Sequence, residues 1–217
     1  MTDDTSLDAL RLRLAPAIAD AAAFDGWSEA AVDAAAQVNG VDAALARFAF
    51  SGGAMAMITA WIARIDADMA DALPTVQLSN LPIRERIRRL VQFRLDAVAG
   101  QQEALRRALS IMAMPQNVAA TARLGWSSAD AMWRLAGDTA TDYNHYTKRI
   151  TLGSIYAATL AVFANDTSEG HADTRDFLDR RIENVMQFEK AKARLLRPRE
   201  DTFSFTRLLG RLRYPAT

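Results

Sequence analysis

The most suggestive spacing for chemistry is Asp142-Tyr143-Asn144-His145. An acid followed three residues later by histidine places two possible metal ligands on one face of a helix, and Asp138 lies one turn earlier. A di-iron or zinc site needs further ligands, and the second histidine of the chain, His171, has no acid at this spacing. We therefore predict a solvated helix face with local side-chain contacts at this position, and no metal site or catalytic residue.

The same stretch is dense in charged and aromatic residues, which is typical of a recognition surface on a rigid helix. Consecutive positions on a helix diverge by about 100 degrees, so Tyr143, His145 and Tyr146 cannot all face the core. Partly buried tyrosines with hydrated hydroxyl groups are the alternative. The residues predicted to bind a protein partner are Asp138, Asp142, Tyr143, Asn144, His145, Tyr146, Lys148 and Arg149.

Methionine and aromatic residues recur along several predicted helices. Flexible methionine side chains adapt to an irregular cavity or to a long apolar ligand. An ordinary hydrophobic core is the competing interpretation. The residues predicted to line a pocket for a long apolar ligand are Met57, Trp61, Met112, Met114, Met132, Trp133, Tyr156 and Phe163.

The last segment of the chain has an amphipathic pattern. After Pro198, apolar residues fall at i, i+3, i+4 and i+7, and arginines lie beside this stripe. A basic linker precedes the segment, so the pattern predicts a helix that lies on an anionic membrane surface. The alternative is a terminal helix docked on its own domain. The residues predicted to meet the membrane are Phe203, Phe205, Arg207, Leu208, Leu209, Arg211, Leu212 and Arg213.

Composition narrows the class of protein. The chain has 217 residues, half of them apolar, so it can form a sizeable core, and its net charge is zero. A neutral chain whose first 50 residues hold eight acids and three arginines is not expected to bind nucleic acid. The absence of cysteine fits a reducing compartment, and neither a signal peptide nor a convincing membrane span is evident. We expect a cytoplasmic location.

Helical periodicity, with glycine, proline and asparagine between the segments, predicts an all-α fold. Short helices are expected over residues 7–24, 28–38 and 42–48, followed by a helix over 54–72 and a linker at 76–80. Longer helices are expected over 82–99 and 101–114, and a short piece that starts at Pro115 and Asn117 ends at a break near Leu124-Gly125. Ser127 or Ser128 caps the next helix, which stops at Gly137. Residues 138–141 then cap a long helix to about Ala164, and the last long helix spans 172–196. Gly153, Ala157 and Ala161 allow close helix approach, either at a dimer seam or within one subunit.

Three short helices before longer ones is the layout of TetR-type proteins, in which a helix-turn-helix segment precedes a ligand-binding and dimerising domain. The third short helix holds one base, one acid and no Asn, Gln, Ser or Thr, so it cannot read base edges well. We predict a degenerate helix-turn-helix segment over residues 1–50, a helical ligand-binding and dimerisation domain over 51–197 and an amphipathic tail over 198–217.

A series of short motifs spread over about residues 26 to 187 points to one known family. They are Gly26-Trp27-Ser28, Ala108-Leu109-Ser110-Ile111-Met112, Met114-Pro115, Asn117, Met132-Trp133, Ala136-Gly137-Asp138, Thr141-Asp142-Tyr143-Asn144, Tyr146-Thr147-Lys148-Arg149 and Ile155-Tyr156. Together they resemble the Coq-nine family of lipid-binding accessory proteins of ubiquinone biosynthesis. One departure is His145, where the family often has tryptophan.

The resemblance implies a TetR-like homodimer without enzymatic activity that holds an isoprenoid or quinone lipid and needs no cofactor. It also implies a terminal helix that meets the membrane, and a surface including the match to residues 142–149 that receives the demethoxyubiquinone hydroxylase. The alanine-rich composition indicates a bacterial member of the family. For such a member, the resemblance implies peripheral association with the inner membrane. The rival hypothesis is a ligand-responsive TetR-type transcriptional regulator.

Overall fold

A computed structural model describes residues 6–139 and 143–196; for Tyr143 and for 189–196 it describes the backbone only. The described residues form helices joined by turns, without strands, so the predicted all-α class is confirmed. The α-helices are α1 (Leu7–Asp25), α2 (Glu29–Val38), α3 (Ala43–Ala49), α4 (Gly53–Ala72), α5 (Thr75–Leu78), α6 (Ile83–Ala97), α7 (Gln102–Met112), α8 (Val118–Leu135), α9 (Tyr143–Phe163) and α10 (Ala172–Leu196).

The first three helices begin and end close to the predicted residues, although α1, with 19 residues, is not short. Asp42 caps α3 by accepting from the backbone N–H of Leu45 at 2.9 Å. Ser28 occupies the position before α2, but its hydroxyl donates to the carbonyl of Asp25 and does not cap the helix. Gly40 follows α2 with a φ of +63°, a conformation that favours glycine.

The core joins the short helices to the longer ones through two tryptophans. Trp27 and Trp61 are buried with ring centroids 5.2 Å apart, and the indole N–H of Trp27 donates to the carbonyl of Ala104 at 3.0 Å. This bond connects the turn before α2 to α7. The first three helices therefore share one core with α4 and α7.

Gly153 of α9 faces Gly125 and Ala129 of α8. A Cβ added at Gly153 would lie 3.7 Å from the carbonyl oxygen of Gly125 and 3.9 Å from Cβ of Ala129. These are ordinary contact distances, so Gly153 faces a helix of its own subunit. The break predicted at Leu124-Gly125 is wrong: α8 runs through both residues, preceded by a 3₁₀ turn over Pro115–Asn117.

A second correction concerns the predicted linker at residues 76–80. The turn after Pro74 is helical and forms α5, and Leu78 is buried. By contact density the chain divides into two compact units, Met1–Ile182 and Glu183–Thr217. The domain boundaries predicted at 50 and 197 stay a prediction. The predicted membrane-binding residues, from Phe203 to Arg213, lie outside the described residues.

No single helix in the described ranges is both long and apolar enough to cross a membrane. Taken together, α3 and α4 have the length and apolar composition of a membrane span, but the two helices are bent by 87° relative to each other.

Candidate functional site

A cavity of about 600 Å³ lies between α4, α6, α7, α8 and α9. This volume falls in the range of roughly 300 to 1,000 Å³ that small-molecule sites occupy. Most of its wall is apolar. The large apolar side chains that line it are Ile58, Trp61, Ile62, Ile65, Leu105, Leu109, Met112, Leu124, Trp126, Ile150 and Leu160.

Two buried arginines interrupt this apolar wall. The Arg94 side chain, from α6, is 1% exposed and forms an ion pair with Asp66 of α4. Its Nη2 donates to the Ser128 hydroxyl at 3.0 Å, and its guanidinium carbon lies 4.9 Å from the ring centroid of Tyr156. Three helices besides its own therefore fix the position of Arg94.

Arg149, the second arginine of the wall, belongs to a buried ionic cluster at the start of α9. Its Nε donates to Asp130 at 2.6 Å, and its Nη1 donates to Asp138 and to the carbonyl of His145, each at 3.1 Å. Lys148 Nζ donates to the other oxygen of Asp138 at 2.6 Å. The cluster holds the first turns of α9 against α8.

The backbone at the end of α8 places Asp138 in this cluster. The N–H of Asp138 donates to the carbonyl of Trp133, and that of Gly137 donates to Arg134, each at 2.9 Å. These two bonds form a Schellman motif, which requires a left-handed residue after the helix. Gly137 supplies it with a φ of +84°.

An aromatic cluster lies near this end of the cavity. The Trp126 ring is 6.1 Å from that of His145 and 5.9 Å from that of Tyr146, and the latter two are 5.2 Å apart, edge to face. Trp126 also lines the cavity, whereas Tyr146 is 57% exposed. One tryptophan therefore contacts both the cavity and the aromatic surface.

Comparison with known proteins bears on this part of the chain. The COQ9 family model matches residues 118–189, which include α8, α9 and the aromatic cluster. Ubiquinone biosynthesis protein COQ9, mitochondrial, from Rattus norvegicus is 35% identical over 167 residues, 74% of this chain and 54% of that protein. The Homo sapiens protein of the same name is 31% identical over 190 residues, 85% and 60% of the two chains.

The chain belongs to the COQ9 family. It spans between 54% and 60% of the length of these two relatives. Among solved structures, one match is described as the "Crystal structure of the TetR transcriptional regulator from Nitrosomonas europaea ATCC 19718". That match has a TM-score of 0.65 at 23% identity and covers 82% of this chain and 99% of the other. It confirms the predicted TetR-like fold.

Three residues of the predicted lipid pocket line the cavity of this COQ9-family chain: Trp61, Met112 and Tyr156. The other five lie elsewhere. Met57 and Met132 are buried in the core, with Met57 beside a separate smaller cavity near Trp27, and Phe163 is buried against His171. Met114 is 42% exposed, and Trp133 donates its indole N–H to the carbonyl of Lys148 at 3.0 Å.

The predicted partner-binding residues also divide. Asn144 and Tyr146 are exposed, and His145 and Lys148 are partly buried. Asp138 and Arg149 were also predicted to contact a partner, but their side chains are only 4% and 3% exposed and are paired with each other. Asp142 and the Tyr143 side chain lie outside the described residues. In the described part of the chain, His, Asp and Glu form no group of three that could hold a metal.

Sequence reasoning missed Arg94 and Trp126. Arg94 lies on the apolar face of α6, four residues from both Leu90 and Val98, and an arginine within such a stripe is a signal of a buried charge. Trp126 adjoins the falsely predicted break at Gly125. Had the helix been predicted to continue through Gly125, Trp126 would have been placed on the side that faces the cavity.

Proposed function

We propose that this chain is a non-enzymatic accessory protein of ubiquinone biosynthesis that binds a polyprenylated quinone precursor and presents it to the demethoxyubiquinone hydroxylase at the membrane. The observation that carries the proposal is the apolar cavity of about 600 Å³ in a chain of the COQ9 family. Relatives of this chain bear the name ubiquinone biosynthesis protein COQ9, which supports the pathway.

An apolar cavity suits a polyprenyl ligand for a simple reason. A long hydrocarbon chain is strongly disfavoured in water, so it leaves a bilayer only when protein covers it. The walls formed by Ile58, Ile62 and Ile65 on α4 and by Leu105 and Leu109 on α7 offer such cover. In this proposal the cavity residues cover the hydrocarbon chain of the ligand and take part in no catalytic step.

The proposed contact surface for the hydroxylase is the exposed start of α9. Tyr146 and Ile150, one turn apart, are 57% and 60% exposed, and large apolar side chains at this exposure are typical of interface anchors. His145 and Trp126 pack against Tyr146 and limit its rotamers. An ordered aromatic loses less entropy on binding than a free one.

Lipid extraction tests the lipid-binding part of the proposal. The purified chain should release an isoprenoid or quinone lipid that mass spectrometry identifies. Ile62→Trp should fill part of the cavity and reduce the amount of lipid per protein. Val76→Trp, at an exposed position, should leave the amount of lipid unchanged. The proposal would be contradicted if the wild-type protein neither carried an isoprenoid lipid after purification nor took one up when it was added.

The fold keeps a transcriptional regulator as the second candidate, but the surface of α3 disfavours it. Its single base, Arg47, donates to both carboxylate oxygens of Asp33 at 2.7 and 2.6 Å, and these hydrogen bonds lower the pKa of Asp33. Leu45 and Phe48, 46% and 63% exposed, are the other prominent side chains there. Such a helix offers DNA neither free positive charge nor base-reading groups.

A further inference from the structure

Arg86 of α6 bonds to three backbone carbonyls in two different parts of the chain. Its Nε donates to the carbonyl of Leu81 at 2.8 Å, and its Nη2 donates to that of Ser79 at 2.6 Å. Its Nη1 donates to the carbonyl of Ala136, 50 residues further along the chain, at 2.7 Å. One guanidinium therefore joins the turn between α5 and α6 to the end of α8.

Two of these acceptors lie where a helix ends. Ser79 follows the last residue of α5, and Ala136 follows the last residue of α8. Carbonyls at the end of a helix have no partner within it, and they carry the negative end of the helix dipole. Ala136 is fully buried, so its carbonyl depends on a donor from the protein. Arg86 supplies that donor, and its positive charge faces the negative ends of both helices.

The backbone beyond Ala136 leaves room for Arg86. A Cβ added at Gly137 would lie 3.2 Å from Arg86 Nη1, which is closer than most side chains approach a neighbour. Gly137 also has a φ of +84°, a conformation that favours glycine. Arg86 therefore packs directly against the Schellman motif that ends at Asp138.

Asp138 connects this motif to the start of α9. Its carboxylate accepts from Arg149 Nη1 at 3.1 Å, and the same nitrogen donates to the carbonyl of His145 at 3.1 Å. His145 packs against Tyr146, which is exposed. A continuous path of hydrogen bonds and one short backbone turn thus runs from Arg86 to the proposed contact surface for the hydroxylase.

We propose that Arg86 is a positioning residue for this contact surface and acts on it through the end of α8. By fixing the carbonyl of Ala136 it fixes Asp138, which holds Arg149 and the first turns of α9 in the orientation that the hydroxylase meets. This inference rests on the proposed function and adds a residue on another helix that controls the surface.

Arg86→Lys tests the role in the full chain, because it keeps the positive charge and loses the planar fork that reaches three carbonyls. Hydroxylase affinity, measured by titrated pull-down, should fall by about three- to thirtyfold. Amide hydrogen exchange over residues 147–152 should become about threefold faster or more, because the first turns of α9 open more often. Arg84→Ala, at an exposed arginine of the same helix, should change neither quantity.

A stability control separates positioning from general damage. Trp27→Phe removes a buried hydrogen bond between the turn before α2 and α7, so it should lower the melting temperature. It should leave hydroxylase affinity and exchange in α9 unchanged. The two variants are compared at temperatures equally far below their own melting temperatures, and there only Arg86→Lys should bind the hydroxylase more weakly.

A double-mutant cycle tests whether Arg86 acts through the surface that contains Tyr146. In the Tyr146→Ala background, Arg86→Lys should weaken hydroxylase binding by about twofold or less, because the anchor that it positions is already gone. Equal effects of Arg86→Lys with and without the tyrosine would overturn the inference.

The outcomes also separate this inference from the function on which it rests. If Arg86→Lys binds the hydroxylase as the wild type does, or loses no more affinity than Trp27→Phe, the positioning role is wrong and the proposed function stands. Unchanged exchange in α9 would overturn the positioning role as well. If the wild type itself does not bind the hydroxylase, the proposed function fails.

Discussion

Arg149 Nη1 donates to Asp138 Oδ2 at 3.1 Å, and both side chains are almost fully buried. The bond joins α9 to the last residue of the Schellman motif of α8. Because Arg149 also lines the cavity, one guanidinium connects the cavity wall to the start of α9, where Tyr146 is exposed. We therefore predict that mutations in this stretch change folding and the proposed partner binding through different residues.

Removal of the Asp138 carboxylate should destabilise the chain. Asp138→Ala leaves Arg149 with a weaker set of buried partners, and breaking a buried ion pair typically costs about 3 to 5 kcal/mol. The free energy of unfolding, measured by urea denaturation, should fall by an amount of this order. Arg134→Ala is the matched control: its side chain is 75% exposed in an ion pair with Asp130, so it should change stability by about 1 kcal/mol or less. Equal effects of the two changes would contradict the buried role of Asp138.

The helices were largely predictable from the sequence, and the exceptions have local causes. Periodicity and terminal residues located α1 to α4 and α10 closely, since glycine, proline and capping residues mark most helix ends. Gly125 was read as a break because glycine has low helix propensity. In the structure Gly125 lines the cavity and its carbonyl oxygen faces Gly153 of α9, and nothing in the local sequence shows either contact.

The site was less predictable because a cavity is defined by several helices together. Trp61 and Met57 lie one turn apart on α4, yet only Trp61 lines the large cavity. Periodicity identifies the buried face of a helix but not which part of that face borders a space. Arg94 poses the same difficulty, because its partner Asp66 lies 28 residues away in the sequence.

Acid should remove the contribution of Asp166 to stability. Partial burial raises the pKa of this carboxyl, but hydrogen bonds from the hydroxyl and backbone N–H groups of Ser168 and Thr174 outweigh it and hold the pKa well below its usual range. A lowered folded-state pKa means that the stabilisation is complete above the unfolded-state pKa near 4 and is lost as the pH falls further.

The check is the difference in free energy of unfolding between the wild type and Asp166→Ala. It should be about 1 kcal/mol, as for other capping carboxylates, and constant above about pH 5. Below about pH 4 the difference should shrink. A difference that grows toward acid pH would mean that the hydrogen-bonding groups do not favour the charged form.

Truncation after Arg199 tests the predicted membrane-binding tail. The apolar stripe and the arginines beside it predict binding to anionic bilayers, with each base contributing on the order of 1 kcal/mol. Full-length protein should co-float with anionic liposomes, and the truncated protein should do so weakly. Neutral liposomes provide the control, because the full-length protein should bind them less than it binds anionic liposomes. Equal flotation of both proteins with anionic liposomes would contradict the prediction.

DNA binding should be undetectable near physiological salt. The first 50 residues hold eight acids and three arginines, and the single arginine of α3 is paired with Asp33. A gel-shift assay against random duplexes and against the DNA upstream of the gene measures this. A specific shift that survives competitor DNA would place the regulator hypothesis first.

The last prediction concerns Tyr146, whose side chain stands at the exposed end of the aromatic cluster. Truncation of an aromatic anchor at an interface typically costs about 2 kcal/mol or more, which corresponds to roughly thirtyfold in affinity. Tyr146→Ala should therefore weaken hydroxylase pull-down by about thirtyfold. Its stability should change little, because the residue is 57% exposed.

Two variants separate a contact from a folding effect. Phe24→Ala removes another exposed aromatic, 85% exposed at the end of α1, and should leave both hydroxylase binding and melting temperature unchanged. Asp138→Ala should lower the melting temperature, and any loss of hydroxylase binding should accompany that change. Measuring pull-down and melting temperature on the same preparation of each variant decides the matter. Normal binding by Tyr146→Ala, or binding lost together with stability, would remove the case for direct contact through this side chain.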